Sequence, residues 1–303
     1  MNSVSVTPAS RRPYHLHTKF GRKSNHNNVA LLFILPSLLG FGLFYLWPFL
    51  SALRYAFMDK PIGGQFAGLQ NFIDLFQNKS YLRGLTNTLI LMGAGVPINM
   101  GLALILAMMI RRLGRRRDMV TLLFLIPLVI PSGSMVYFWK MFFDYNGYLN
   151  RLLSLGGIAR INWLETSLVR YVVTAIFIWK NLGYNIILFL AGLSGIPTEY
   201  YEAARVDGAR PWQIFRRITA PCLLPTFFIV TIMSIINSFK IFKEVYLITG
   251  SYPHESIYLL QHFMNNMFQS LHYPKLTTAT CILVLIITAV TQMLFRLEKK
   301  VSP

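Results

Sequence analysis

Six separate stretches of this chain are apolar for about 20 residues each, the length an α-helix needs to cross the hydrocarbon core with every backbone group bonded inside the segment. They lie near Val29 to Leu50, Thr86 to Ile110, Met119 to Trp139, Val169 to Gly192, Cys222 to Phe242 and Leu276 to Phe295. Only 13% of the residues are charged and mean hydropathy is +0.48, whereas a soluble domain averages about 25% charged. The pattern predicts an all-α integral membrane protein with six transmembrane helices. Distributed over 303 residues, those spans leave no room for a separate soluble catalytic domain.

The basic residues give an orientation, because cytoplasmic flanks retain Lys and Arg. Arg11, Arg12, Lys19, Arg22 and Lys23 precede the first span, and Arg111, Arg112, Arg115, Arg116 and Arg117 follow the second. Arg205, Arg210, Arg216 and Arg217 follow the fourth, and Arg296, Lys299 and Lys300 the last. These fall on one side of the membrane, so both termini are expected in the cytoplasm. A net charge of +18 raises the possibility of nucleic acid, but charge clustered at membrane edges fits topology and anionic lipid, and no nucleic-acid partner is expected.

The chain divides into a cytoplasmic tail at 1–28, expected to be disordered; a first span with its external loop at 29–84; a transmembrane domain at 85–296; and a tail at 297–303. The tail before Val29 lacks an apolar run, so the first apolar segment is expected to stay as a span and not to be cleaved as a signal peptide. Cys222 and Cys281 read as small apolar fillers, and no Cys or His spacing suggests a metal. His254, His262 and His272 read as ordinary polar residues of the last external loop. Asp59 to Arg83 and Asp144 to Arg170 are expected to carry short surface helices.

One polar insert stands out between the fourth and fifth spans: YEAARVDGARPWQIFRRITAP, Tyr201 to Pro221. Pro197 and Pro211 can each open a short helix, and Gly208 offers the turn between them. Trp212, Phe215 and Ile218 recur at helical spacing while Gln213, Arg216 and Arg217 face elsewhere. The residues alone support two readings, an amphipathic element lying on lipid and a docking element for a soluble partner.

Glu202-Ala203-Ala204, Asp207-Gly208-Ala209, Gln213, Phe215, Ile218, Pro221 and Pro225 resemble the coupling loop of binding-protein-dependent ABC importer permeases, with Ala220 where that family usually has Leu. The stretches Leu31 to Leu50, Ala67 to Phe72 and Thr86 to Leu91 are similar to its sugar-transport branch, of the maltose and glycerol-3-phosphate permease type. The resemblance implies a type I importer permease with its coupling loop near 194–220. It implies a half-channel that pairs with a second homologous permease, two copies of a cytoplasmic ABC ATPase and an extracytoplasmic solute-binding protein in a prokaryotic cell membrane. Glu202, Ala203, Ala204, Asp207 and Gly208 would contact the ATPase. The chain has no GxxxxGK[ST] phosphate loop, so it is expected to be non-catalytic and to bind no cofactor, ATP being used by the partner.

Polar residues inside spans are candidates for contact with cargo, because leaving them unpaired in lipid is costly. Trp179, Lys180, Asn181, Tyr184 and Asn185 interrupt the fourth span near its middle, and Asn237 and Ser238 lie in the fifth. Aromatic rings can stack on a sugar face, while amides and the ammonium can bond hydroxyls; the bland reading is helix packing, which also suits Asn99 in the second span. A carrier or channel not driven by ATP is the alternative function. It usually needs buried acidic groups near the midplane, and the six stretches as bounded above contain none.

Overall fold

The structure, a computed structural model, describes residues 25–301, so the expectation of a disordered N-terminal tail lies, for residues 1–24, outside the described residues. Packing divides the chain into two units after Ser51. In the first, a helix at Asn25–Phe41 passes through a π-helical turn at Gly42–Leu46 into the helix that begins at Trp47. Its apolar side chains, Phe33 and Phe44 among them, are exposed, as expected of a surface whose solvent is lipid.

In the second unit, four long apolar helices occur at Lys79–Arg111, Val169–Ser194, Leu224–Thr249 and Tyr273–Lys300. The third predicted span, Met119 to Trp139, is not one straight helix, and that expectation is corrected. Its first arm, Gly114–Val129, and its second, Ser132–Leu155, meet at 92°. Pro131 is the cause: it lacks an N–H and crowds the preceding residue out of the helical region. Ile130 accordingly sits at φ −64°, ψ 127°. The fifth span is also longer than expected. It breaks briefly at Ile241 and resumes as Phe242–Thr249, which brings Glu244 within its length.

The fourth span is the hub of this unit, packing on the second, on the first arm of the third and on the fifth. At Gly183 the approach is so close that a β-carbon would lie 1.9 Å from the Phe124 carbonyl oxygen, the small-residue contact that membrane helices use in place of a hydrophobic driving force. Toward the expected cytoplasmic ends, Ala103, Ala107, Ile186, Phe189, Leu193 and Leu223 form one buried cluster. Toward the other ends, Val136, Val173, Phe177, Ile241 and Val245 form another. Short helices at Gln70–Gln77 and Tyr148–Leu155 fall in the two loops expected to carry them, and a further one, Leu260–Gln269, precedes the last span. That last helix runs on to Val301, so residues 297–301 continue it.

A candidate coupling insert and a polar cluster inside the spans

The insert folds as two short helices, Thr198–Val206 and Pro211–Ile214. The turn between them is closed by two bonds, Gly208 N to the Arg205 carbonyl at 3.0 Å and Ala209 N to the Ala204 carbonyl at 2.9 Å. This is a Schellman ending, which requires a left-handed residue after the helix; Gly208 supplies it with φ +72°. Asp207 is the last, half-helical residue before it. The second helix begins with Pro211 in the first turn, and the Arg210 N–H is held by Gln213 Oε1 at 2.7 Å. Immediately after, Phe215–Thr219 is a π-helical turn, a widening common at functional sites.

Glu202, Ala203, Asp207 and Gly208 are exposed, Ala204 is half-buried, and the neighbouring Tyr200 and Val206 also face outward. The insert therefore presents small residues and the carboxylates of Glu202 and Asp207, which make no ion pair among the described residues, beside the exposed Arg205, Arg210, Arg216 and Arg217. Its root is fixed differently. Tyr201 carries the Arg111 guanidinium 4.9 Å over its ring, accepts a bond from Arg111 Nη1 at 3.1 Å, and meets the Thr219 hydroxyl at 3.3 Å. A cleft of about 410 Å³ between Met108, Leu193, Tyr201 and Phe215 separates the insert from the span ends.

Within the spans, the polar side chains find one another. Asn185 donates to Asn99 Oδ1 at 2.7 Å and to Ser234 Oγ at 2.9 Å, and Asn99 donates to the Ile178 carbonyl at 2.9 Å. This triad ties the second, fourth and fifth spans. Asn181 donates back along its own helix to the Phe177 carbonyl, and Ser238 donates to the Ile235 carbonyl. Asn181, Asn185 and Ser238 are buried; Trp179, Lys180, Tyr184 and Asn237 are half-buried. Trp179 stands edge-on to Trp139 of the bent span, with centroids 5.2 Å apart.

Lys180 is paired. Its ammonium bonds Glu244 Oε1, which also accepts from Ser132 Oγ at 2.7 Å. Glu244 is 1% exposed, and its Oε2 has no partner. The expectation that the spans hold no acidic side chain is thus corrected: the fifth span includes one, countered by the fourth. Three pieces converge here, because Ser132 opens the second arm beyond the bend. A helical reading continued past Phe242 would have found it, since Ile241, Val245 and Ile248 share a buried face with Glu244.

Elsewhere, His262 is buried with its Nδ1 accepting from the Leu259 N–H at 3.1 Å, and its ring lies edge-on to Phe242 at 4.9 Å. Burial pulls its pKa from 6.5 to about 4. Cys222 and Cys281 are free thiols, and the described residues contain no group of three or more His, Cys, Asp or Glu able to hold a metal.

Among the described residues, helices long enough to span, almost no β-structure and an ordered polar insert between two of them point to a multi-pass membrane protein. The chain belongs to the family described as the binding-protein-dependent transport system inner membrane component, whose model matches residues 99–303. It is the permease component of such an importer. It is similar to the osmoprotective compounds uptake permease GgtC of Synechocystis, with 28% identity over 267 residues covering 86% of this chain and 95% of that protein. It is similar also to the sn-glycerol-3-phosphate transport system permease UgpA of Agrobacterium fabrum, with 30% identity over 278 residues covering 90% of this chain and 95% of the relative. The fold matches a bacterial ABC transporter involved in import of the acidic polysaccharide alginate, with a TM-score of 0.81 at 24% identity, covering 91% of this chain and 97% of that one. A bacterial alginate ABC transporter in complex with an alginate pentasaccharide-bound periplasmic protein matches with a TM-score of 0.79 at 23% identity, covering 91% of this chain and 96% of that one.

Proposed function

We propose that this chain is the non-catalytic, pathway-forming subunit of an ATP-driven importer for an oligosaccharide or related polyol in a prokaryotic plasma membrane. Both termini and the insert face the cytoplasm. The chain completes its channel with a second, homologous permease, receives cargo from an extracytoplasmic solute-binding protein and binds no cofactor itself. Two copies of a cytoplasmic ATPase hydrolyse ATP and move the insert. Its curated relatives handle osmoprotective compounds and glycerol-3-phosphate, and the alginate transporter works with a periplasmic protein, which together support a hydroxylated cargo and that assembly.

The observation that carries this reading is the shape of the insert. A Schellman turn at Gly208 joins two short helices that leave Ala203 and Asp207 exposed, with Glu202 exposed at the rim of the cleft, where an acidic contact and a close backbone approach are both available to a groove. The test is co-purification of the ATPase with Glu202→Lys and Gly208→Leu variants. Both should insert in the membrane normally, because no span is altered, yet lose the bound ATPase and the transport-stimulated ATP hydrolysis together. Normal ATPase recovery with normal uptake in both variants rejects the coupling role, since charge reversal on a lipid-facing element would only tighten its hold on anionic lipid.

A further inference from the structure

A carboxylate in a membrane span is costly unless matched, and here one oxygen of Glu244 takes both available donors while the other takes none. The arrangement does more than fasten helices, which the Asn99, Asn185 and Ser234 triad already does without any charge. Its distinct effect is electrical. Lys180 is the charged member of the fourth-span polar run, flanked by Trp179 and Asn181 and one turn from Tyr184, and its side chain is 18% exposed. Left alone in a low dielectric, that ammonium would be a strong attractor for phosphate or carboxylate. Paired, it has spent its charge inside the protein. An anion arriving there meets a cation already satisfied by a carboxylate.

Lys240 and Lys243 of the fifth span are exposed, on the side of their helix away from Ser234, Ser238 and Val245, and neither pairs with Glu244.

We propose that Glu244 is a specificity-determining residue: by cancelling Lys180 it leaves the stretch beside Trp179 and Tyr184 without net charge, so the cargo that passes is an uncharged polyhydroxylated molecule, not a phosphate ester or a uronate. This rests on the carbohydrate reading above. Indole and phenol faces suit the C–H faces of a neutral sugar, and amide and hydroxyl groups suit its hydroxyls.

The test uses the whole assembled transporter in proteoliposomes with its binding protein and ATP. Uptake is measured for a panel of neutral gluco- and galacto-oligosaccharides and polyols, and for anionic counterparts, uronic-acid oligosaccharides and sn-glycerol-3-phosphate. Wild type should take up its best anionic probe at least tenfold more slowly than its best neutral one. An anionic probe carried as fast as the best neutral one overturns the inference and leaves carbohydrate import standing; uptake of no probe from either set rejects both. In Glu244→Gln, which frees the Lys180 charge, the anionic-to-neutral uptake ratio should rise at least tenfold. An unchanged ratio in a variant recovered at wild-type yield rejects the role of Glu244, and if that variant does not assemble, the wild-type ratio alone decides.

Discussion

Two polar regions of this apolar molecule treat their charges in opposite ways. In the insert, Glu202 and Asp207 are exposed and make no ion pair, although Arg205 lies on the same short helix. Inside the spans, Glu244 is fully buried and its partner comes from a different helix. The contrast follows from solvent. In water an unpaired carboxylate costs nothing and remains available to a partner, whereas in a low-dielectric interior each ion costs several kcal/mol unless it is matched. An exposed charge with no internal partner stays free for an external contact, and a buried charge with one is architecture or selectivity.

The hardest way to break that contrast is Lys180→Met. It leaves Glu244 buried with only Ser132 to satisfy it, and removing one partner of a buried pair costs about 3–5 kcal/mol. The variant should be recovered in low yield with a sharply lowered melting temperature in detergent. Melting within a degree or two of wild type would mean that Glu244 is reached by water, erasing the difference between the two regions.

A slightly smaller effect sharpens the comparison by using a polar group kept buried and uncharged. Folded His262 stays neutral down to about pH 4, while the unfolded chain takes up a proton below about 6.5. Its folded pKa is depressed, so its contribution is complete above pH 6.5 and is lost as pH falls toward 4, up to about 3 kcal/mol. The assembled complex should therefore melt at a lower temperature at pH 5 than at pH 7.5, and His262→Gln should flatten that dependence. An equal slope in the variant would assign the acid sensitivity to other groups.

The smallest expected effects separate two glycines. Gly183→Ala forces a β-carbon into the Phe124 carbonyl, and relief by helix displacement should cost about 1–3 kcal/mol. At Gly208 the space is open, but φ is +72°, so alanine there should cost about 1 kcal/mol of backbone preference. Thermal melting should show the larger loss for Gly183→Ala, while ATPase stimulation should fall more for Gly208→Ala. The reverse order would mean that the insert, not the bundle, is the more tightly constrained region.

Much of this was legible from the chain alone, for identifiable reasons. Apolar runs long enough to span can be nothing else in a chain this poor in charge, and the paired prolines around Gly208 mark helix, turn and helix by local stereochemistry. The bend at Ile130 was not read, because Pro127 and Pro131 both interrupt the same run and a proline within a span is often tolerated. Only the structure shows that the first stays inside a helix and the second ends one. Glu244 was missed because a charged pair, Lys243 and Glu244, looks like the end of an apolar run. What makes it interior is a lysine on another helix, and no local window contains both. The fourth-span polar run was visible as a group, but its division into buried triad, paired ion and half-exposed aromatics depends on which neighbour each side chain meets.

The Lys180 to Glu244 pair also has a consequence for how the chain is made. Its two members are 64 residues apart, so at a ribosome speed of about 5–20 residues per second the lysine emerges roughly 3–13 s before its counterion exists. During that interval the fourth helix carries an unmatched ammonium, at an insertion cost of about 2.5–3.5 kcal/mol if it sits at the bilayer centre. The fourth helix carries that cost alone until the fifth arrives, and a message cut short between them yields a chain that keeps it.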